Sequence, residues 1–297
     1  MADEPVRTIG TLLHFIEGTQ VHAGPHLHTR FHPLHTHSFF ELALVIGGEG
    51  VHHSQAGRQR VEVGDVMVLR PGVWHEYVDC RDLEVYNCCF SADLVQRELA
   101  WTREDPLLGY LLWTGPFSAQ RRGMLMTHLD EDALKQGIGY LDRIRELRNE
   151  SLSRRRGDIV GWLSLYLSCV ARTIERDELG GQTHPAVLDA MRMMEADPAR
   201  QWTLTELAQA LHLAPGYLVR LFKSATGTPP MAYLSRHRVE LAAEQLLHTD
   251  LPIARIGESV GWPDQNYFAR RFKSHFGLSA STYRQRFNQR KHSPSGR

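Results

Sequence analysis

The stretches YLVRLFKSATG, residues 217–227, and YFARRFKSHFG, residues 267–277, decide the fold of the C-terminal part of this chain. They lie 50 residues apart, and a shift of that length also aligns a tyrosine beyond each stretch. In the first copy the identical residues are Tyr217, Arg220, Phe222, Lys223, Ser224, Gly227 and Tyr233. Identities at a fixed spacing indicate an internal structural repeat. We therefore expect the same supersecondary unit twice.

Each copy has the pattern of a helix, a short turn and a second helix. In the first copy, Thr203 and Glu206 form a capping-box pattern, after which apolar residues recur every three or four positions. Pro215 suits the first position of the next helix, and Gly227 suits its end. The second copy repeats the apolar spacing. The sequence thus predicts two helix-turn-helix units.

The outward faces of the two second helices carry polar and basic side chains. Arginine pairs with guanine in the major groove, asparagine and glutamine pair with adenine, and lysine suits phosphate contacts. A solvated charged face is the alternative interpretation of any single basic residue. Because the pattern occurs twice, we predict DNA contacts from these residues: Val219, Arg220, Lys223, Gln265, Asn266, Arg270 and Lys273.

Charge and composition narrow the class of protein. The 297 residues balance 34 Lys and Arg against 34 Asp and Glu, but residues 183–297 carry 15 against 9, a net charge of +6. This asymmetry suggests a polyanionic partner for the C-terminal part. No apolar run is long enough for a membrane helix, and the 4 cysteines form no C-x-x-C pair. We expect a cytoplasmic protein of about two domains, without a disulfide framework or zinc finger.

The stretches LTELAQALHLAPGYLVRLFKSATGTPPMAYL, residues 204–234, and IARIGESVGWPDQNYFARRFKSHFGLSASTYR, residues 253–284, resemble the AraC/XylS family of bacterial regulators. The resemblance covers about residues 185–287. It implies a seven-helix DNA-binding domain whose base contacts come from the helices that hold Arg220 and Arg270. Two residues depart from the family pattern: Ala214 stands where a serine cap is usual, and Ala280 where a proline is usual. A missing cap costs about 1 kcal/mol.

The N-terminal part is rich in histidine and in short β-prone runs separated by glycine-containing turns, with GGEG at residues 47–50 among the expected turns. Two segments, HTHSFFE at residues 35–41 and PGVWH at residues 71–75, resemble the two motifs of the cupin barrel. Equal parity suggests that His35, His37 and Glu41 share one face of a strand. We therefore predict a cupin-like β-barrel.

Two kinds of ligand suit this barrel. In metal-binding cupins the matching positions, His35, His37, Glu41 and His75, hold a divalent transition metal, and such donors suit one. In barrels of the regulator family, such residues hydrogen-bond a small effector, commonly a sugar. The second motif departs from the usual spacing, which favours the effector pocket. The predicted effector contacts are His35, His37, Glu41, His75 and Tyr77.

Two further stretches, residues 133–148 and 158–176, have helical apolar spacing and no obvious partner in a small barrel, so we expect them to form a homodimer interface. GGQTHP, residues 180–185, is the expected linker. The predicted fold class is α+β and multidomain. Its parts are a cupin-like effector domain at 1–125, a helical dimerisation segment at 126–182 and an AraC-type DNA-binding domain at 183–292.

Three functional hypotheses follow from these observations. The leading hypothesis is a transcription regulator that is not an enzyme, binds double-stranded promoter DNA, responds to a small molecule such as a sugar, and contacts RNA polymerase as an activator. The second is a metal-dependent cupin enzyme with a DNA-binding tail. The third is a constitutive DNA-binding protein whose barrel is only a dimerisation scaffold.

Overall fold

The structure, a computed structural model, describes residues 21–117, 123–147, 152–174 and 184–287. Its contacts separate two units, a sheet with helices up to residue 174 and a set of helices from residue 184 onward. The predicted α+β class with separate domains is therefore confirmed. Among the described helices, none has both the length and the apolar character that a membrane span needs.

Seven antiparallel strands form one sheet in the first unit, the β domain. They are β1 (Val21–His28), β2 (His32–His35), β3 (Phe40–Ser54), β4 (Gly57–Glu62), β5 (Asp65–Leu69), β6 (His75–Phe90) and β7 (Met124–His128). The order is β1-β6-β3-β5-β7, with β2 paired to β6 and β4 paired to β3. The two longest strands, β3 and β6, are direct neighbours in the sheet. Side chains of β3 therefore lie beside side chains of β6, although the two strands are far apart in the sequence.

The expected turn at residues 47–50 is wrong, because this segment lies inside the continuous strand β3. The pairing of β3 with β6 shifts register between Val45 and Val51, as in a series of β-bulges. Gly48 has a φ of +68°, and a Cβ on it would lie 2.1 Å from the carbonyl oxygen of Asp82 on β6. The glycines therefore permit a close approach of two backbones rather than a chain reversal.

Helices cover one face of the sheet. They are α1 (Ala92–Arg97), α2 (Pro106–Gly109), α3 (Glu131–Glu146) and α4 (Leu152–Ala171). Leu141 of α3 and Leu163 of α4 are fully buried in one core with Leu44 of β3 and Val66 of β5. Burying a leucine side chain stabilises the fold by about 1.5–3 kcal/mol. The apolar residues that suggested a dimer interface therefore pack within their own domain, which corrects the premise that they lack a partner there.

The boundaries of this region also differ from the expected ones. Strand β7 crosses the boundary drawn at residue 125, and α3 and α4 pack with the sheet rather than forming a separate segment. Residues 148 and 176, the expected ends of the two helices, lie outside the described residues, as do residues 180–183 of the expected linker. Pro185 begins a helix that the His184 side chain caps, so the last part of that linker is helical.

Seven described helices form the second unit, the helical domain. They are α5 (Pro185–Ala196), α6 (Leu204–Ala210), α7 (Pro215–Thr226), α8 (Pro230–His248), α9 (Ile253–Ser259), α10 (Gln265–Phe276) and α11 (Ala280–Phe287). Helices α6 and α7 form one helix-turn-helix unit, and α9 and α10 form the other, with α8 between them in the chain. Leu218 and Phe222 of α7 and Phe268 and Phe272 of α10 are buried as the repeat predicted.

Local signals fix the ends of these helices. Thr203 and Glu206 form both halves of the capping box, and Gly227 ends α7 in the left-handed conformation with a φ of 70°. Ala214 gives α7 no side-chain cap, whereas the Asp264 carboxylate accepts hydrogen bonds from two backbone N–H groups of α10. Helix α10 therefore begins with a stronger cap than α7.

Candidate functional site

A cluster of buried and half-buried imidazole rings lies in the β domain, together with one carboxylate and one phenol. We call it the histidine cluster: His28, His32, His35, His37, Glu41, His52, His75 and Tyr77. His37, His52 and His75 have no exposed surface, and Tyr77 has 2%. All five predicted effector residues are members, so the structure brings them together.

The cluster is assembled from separate segments rather than from one strand face. His35 ends β2, His37 lies in the segment that follows, and Glu41 lies on β3, so the expectation that they share one strand is wrong. His75 pairs with His35 on β2 and with Ser54 on β3. The side chains converge because β6 runs between these two strands.

Three donors in the cluster face one point. Ligand atoms of His35, Glu41 and His75 all lie within 4.8 Å of one another, and each side chain is at most 3% exposed. Nδ1 of His35 lies 3.0 Å from the Pro33 carbonyl oxygen, to which it donates. This hydrogen bond fixes the tautomer and leaves the lone pair on Nε2, where a neutral imidazole accepts a proton donor or binds a metal.

His37 lies against the carboxylate instead of joining these three donors. Its Nδ1 donates to the Phe39 carbonyl oxygen at 2.8 Å, and its Nε2 lies 2.9 Å from Oε2 of Glu41. Nε2 has no hydrogen-bond partner among the described residues, so this close approach is a contact and not a hydrogen bond. The structure thus groups three of the four predicted metal ligands around one point, without His37.

Burial keeps the imidazoles of His35, His52 and His75 neutral. Desolvation lowers the pKa of His35 to about 3 and that of His52 to about 4, and it holds the pKa of His75 well below its ordinary value. Neighbouring histidines lower the pKa values of His35 and His75 further, because a second positive charge nearby is unfavourable. A neutral imidazole can form hydrogen bonds or coordinate a metal, so the cluster could bind a polar effector or a metal ion.

His52 is a cluster member that the sequence analysis missed. Its ring lies 5.5 Å from His75 and 5.3 Å from Tyr77, between ring centroids. His53, the next residue, points away and lies 2.6 Å from Glu76. Two adjacent histidines on a strand must face opposite sides, so the pair itself signalled that one of them lies inside.

Three of the buried rings have unsatisfied polar atoms, and one of them is Nε2 of His37. Neither ring nitrogen of His52 or His75 has a hydrogen-bond partner among the described residues. A buried polar group without a partner costs about 1–3 kcal/mol. A polar ligand or metal ion that satisfied these nitrogens would recover part of that free energy, which makes the histidine cluster the best candidate binding site in the β domain.

A second concave surface lies elsewhere on the β domain. This groove has a volume of about 750 Å³ and is lined by Glu49, Arg60, Asp65, Asp79 and Arg81, among others, but by no member of the histidine cluster. Some of its charged groups already have partners: Arg81 donates to Glu49 at 2.7 Å, and the Asp65 carboxylate accepts from the Glu62 backbone N–H at 2.9 Å. The groove has no buried polar atoms without partners to match those of His52 and His75, so the histidine cluster is the stronger candidate site among the described residues.

The predicted DNA contacts lie on exposed faces of α7 and α10. Arg220 and Lys223 are exposed on α7, and Val219 beside them is half-buried. Gln265, Asn266, Arg270 and Lys273 are all exposed on α10. Gly216, which occupies the place of Asn266 in the first unit, has open space around it and offers no side chain. The first helix thus presents fewer base-reading groups than the second.

Comparisons with known families match both domains. A model described as an AraC-like ligand-binding domain matches residues 17–135, and a helix-turn-helix domain model matches residues 207–286. The histidine cluster lies within the first match, and helices α7 and α10 lie within the second.

Individual relatives agree with these matches. The transcriptional activator RhaR of Klebsiella pneumoniae is 26% identical over 85% of this chain and 87% of its own length. An AraC-like transcription regulator of Streptomyces antibioticus is 37% identical, but the match spans only 36% of this chain and 35% of that protein. The solved structure of ToxT from Vibrio cholerae has the same fold, with a TM-score of 0.53, 12% identity, and coverage of 91% of this chain and 99% of that one.

The named relatives are transcription regulators rather than cupin enzymes. The two matched domains, in the same order as the two units of the structure, account for the repeat and for the histidine-rich sheet. This chain therefore belongs to the AraC family, with an N-terminal AraC-like ligand-binding domain and a C-terminal helix-turn-helix domain.

Proposed function

We propose that this protein is a transcription regulator that binds promoter DNA through α7 and α10 and responds to a ligand bound at the histidine cluster. One observation supports the DNA part most directly: equivalent positions of two repeated helices each present an exposed arginine and an exposed lysine. Such a face suits base readout by arginine and phosphate contact by lysine. The proposal places the protein in the cytoplasm, with its target DNA.

Arg220→Ala and Arg270→Ala are each expected to weaken binding to the preferred duplex by about 1–3 kcal/mol and to relax base preference at one position. Full-length protein first selects the duplex from a random pool, and titrations then compare it with a scrambled duplex. Lys223→Ala and Lys273→Ala are the matched controls, because loss of a phosphate contact weakens both duplexes alike and lowers the salt dependence. An unchanged specificity ratio in both arginine variants would contradict the assignment.

The ligand at the histidine cluster is proposed to be a small polar effector, with a sugar as the first class to test. His35, His37, Glu41, His75 and Tyr77 offer the donors and acceptors that hydroxyl groups need, beside aromatic faces. RhaR, the relative matched over most of its length, is named as a transcriptional activator, which supports activation as the direction of control. A panel of sugars in a thermal-shift assay tests this proposal, since a ligand at 100 times its dissociation constant stabilises by about 2.7 kcal/mol.

A divalent transition metal is the second candidate ligand. The observation that favours it is the approach of three donor atoms to within 4.8 Å, with unsatisfied ring nitrogens at His52 and His75. His35, Glu41 and His75 would hold the ion, which would tie together β2, β3 and β6. Imidazole and carboxylate donors suit Zn²⁺, Fe²⁺, Mn²⁺, Ni²⁺ or Cu²⁺.

Metal analysis distinguishes the two ligand classes. If the ion is the ligand, protein purified without an affinity tag or chelator contains nearly one equivalent of metal, and His75→Ala loses it. His53→Ala is the matched control, because His53 points away from the cluster and pairs with Glu76. A metal content near zero in the wild-type protein would exclude this candidate and leave the polar effector.

Homodimerisation and contact with RNA polymerase complete the proposal. A dimer suits recognition of paired DNA half-sites. The buried stripes of α3 and α4 are used within the β domain, so a dimer interface must use other residues, such as Leu165 of α4, which is 46% exposed. Sedimentation velocity of the full-length protein with Leu165→Glu as the variant tests this interface.

A further inference from the structure

Helices α7 and α10 each place an arginine beside an exposed tyrosine. The Arg220 guanidinium carbon lies 5.6 Å from the centroid of the Tyr217 ring, and that of Arg270 lies 6.0 Å from the centroid of the Tyr267 ring. The spacing of three residues puts each pair on one face of its helix. The same contact therefore occurs at the same place in both repeats.

The tyrosine rings lie at the edge of the hydrophobic core. Tyr217 is 40% exposed and Tyr267 is 41% exposed, whereas the residues that follow them, Leu218 and Phe268, are at most 1% exposed. The Tyr267 ring also meets the edge of the Trp262 ring, with 6.1 Å between centroids, so the second tyrosine is anchored on one side and open on the other. The neighbour of each tyrosine in its helix is the arginine predicted to contact a base.

We propose that Tyr217 and Tyr267 are positioning residues that hold Arg220 and Arg270 extended for base readout before DNA is bound. The inference rests on the proposed DNA recognition. A guanidinium held by its face against an aromatic ring keeps its edge N–H groups free, and these are the groups that pair with guanine. Neither guanidinium donates a hydrogen bond to another described residue, so those groups remain available.

The physical gain comes from conformational entropy. A long arginine side chain loses rotamer freedom when it binds, and that loss weakens affinity unless the side chain is already restricted. Cation–π contacts at exposed sites are modest, so each pairing is expected to change affinity by about two- to fivefold. The two pairings act on separate helices and should multiply, to about 4- to 25-fold when both are removed.

Binding titrations with full-length protein and the duplex selected from a random pool test the proposal. Tyr217→Leu and Tyr267→Leu remove the aromatic face and should each lose about two- to fivefold in affinity, while Tyr217→Phe and Tyr267→Phe keep the face and should restore it. In the Arg220→Ala background, Tyr217→Leu should have no further effect, because the tyrosine acts through the arginine.

Two results would overturn the proposal. Equal losses in the Phe and Leu variants would show that the hydroxyl contacts DNA directly. A loss from Tyr217→Leu that is the same with and without Arg220 would show that the ring acts independently of the arginine.

A measurement on the free protein separates this inference from the proposed function. The ring current of Tyr217 should shift the side-chain N–H resonance of Arg220, and the shift should vanish in Tyr217→Leu but persist in Tyr217→Phe. Absence of the shift would overturn the pairing even if DNA binding stands. A protein that shows the shift but enriches no duplex would instead overturn the proposed DNA recognition, and with it the role of the pairing there.

Discussion

Acidification of the metal-free protein from about pH 7.5 to about pH 5.5 is expected to lower the free energy of unfolding of the β domain by about 4 kcal/mol. The cause is the set of buried imidazoles at His35, His52 and His75, each at most 3% exposed. Burial holds their pKa values far below 6.5, to about 3 for His35 and about 4 for His52. The pKa of His75 is also lowered well below its ordinary value.

The sign follows from proton uptake in the two states. Below about pH 6.5 the unfolded chain protonates these histidines, whereas the folded chain does not until the pH approaches its lowered pKa values. The unfolded state thus binds more protons, and stability falls as the pH falls through this window. Each histidine contributes about 1.4 kcal/mol between pH 7.5 and 5.5, so three contribute about 4 kcal/mol. A typical domain is stable by only about 5–15 kcal/mol, so the loss is large.

Hydrogen exchange with mass spectrometry measures this effect in the β domain separately from the helical domain. As the pH is lowered, the protection from hydrogen exchange should decrease far more steeply in peptides from residues 40–90 than in peptides from residues 230–287. His52→Gln removes one of these three groups and should reduce their joint contribution to the pH dependence by about a third. A pH dependence that is unchanged in this variant would show that His52 is not neutral in the folded protein.

Arg238→Ala is expected to destabilise the helical domain by about 3–5 kcal/mol. Arg238 lies on α8 and is only 6% exposed. Its guanidinium donates to the carbonyl oxygens of Pro198 and Arg200, each at 2.7 Å, and of Gly261 at 3.2 Å. The substitution leaves these carbonyl groups without their charged donor and opens a cavity between the segments that precede α6 and α10.

Two further variants make this prediction specific. Arg238→Lys keeps the charge but lacks the planar fork, so it should recover only part of the loss. Arg255→Ala is the matched control, because Arg255 is exposed and, among the described residues, pairs only with Glu258, at 2.9 Å. An exposed ion pair contributes about 0–1 kcal/mol. Chemical denaturation, monitored by hydrogen exchange in peptides from residues 184–287, compares the stability of the three variants. Equal losses of stability in Arg238→Ala and Arg255→Ala would contradict the role of Arg238.

The sequence by itself determined the helical domain almost completely. Its repeat, capping box and terminal glycine are local signals that act within a few residues. They correctly placed the start of α6, both ends of α7 and the buried Phe222, Phe268 and Phe272. Asp264 also caps α10 by a local contact, although the sequence analysis passed over it. A helix satisfies its own backbone, so spacing along the chain suffices to predict which side chains face outward.

The tertiary structure alone decided how the histidine cluster is built. Glu41 and His52 both face the cluster from β3, although their numbers differ in parity, because the irregular segment between Val45 and Val51 shifts the alternation of side chains. Strand pairing then brings His75 of β6 beside His35 of β2. A one-residue shift in a strand exchanges its two faces, and only pairing with a distant strand fixes where that shift occurs. For that reason the sequence identified five members of the cluster by residue type but missed His28, His32 and His52. It also included His37 among the metal donors, whereas the fold turns His37 toward Glu41.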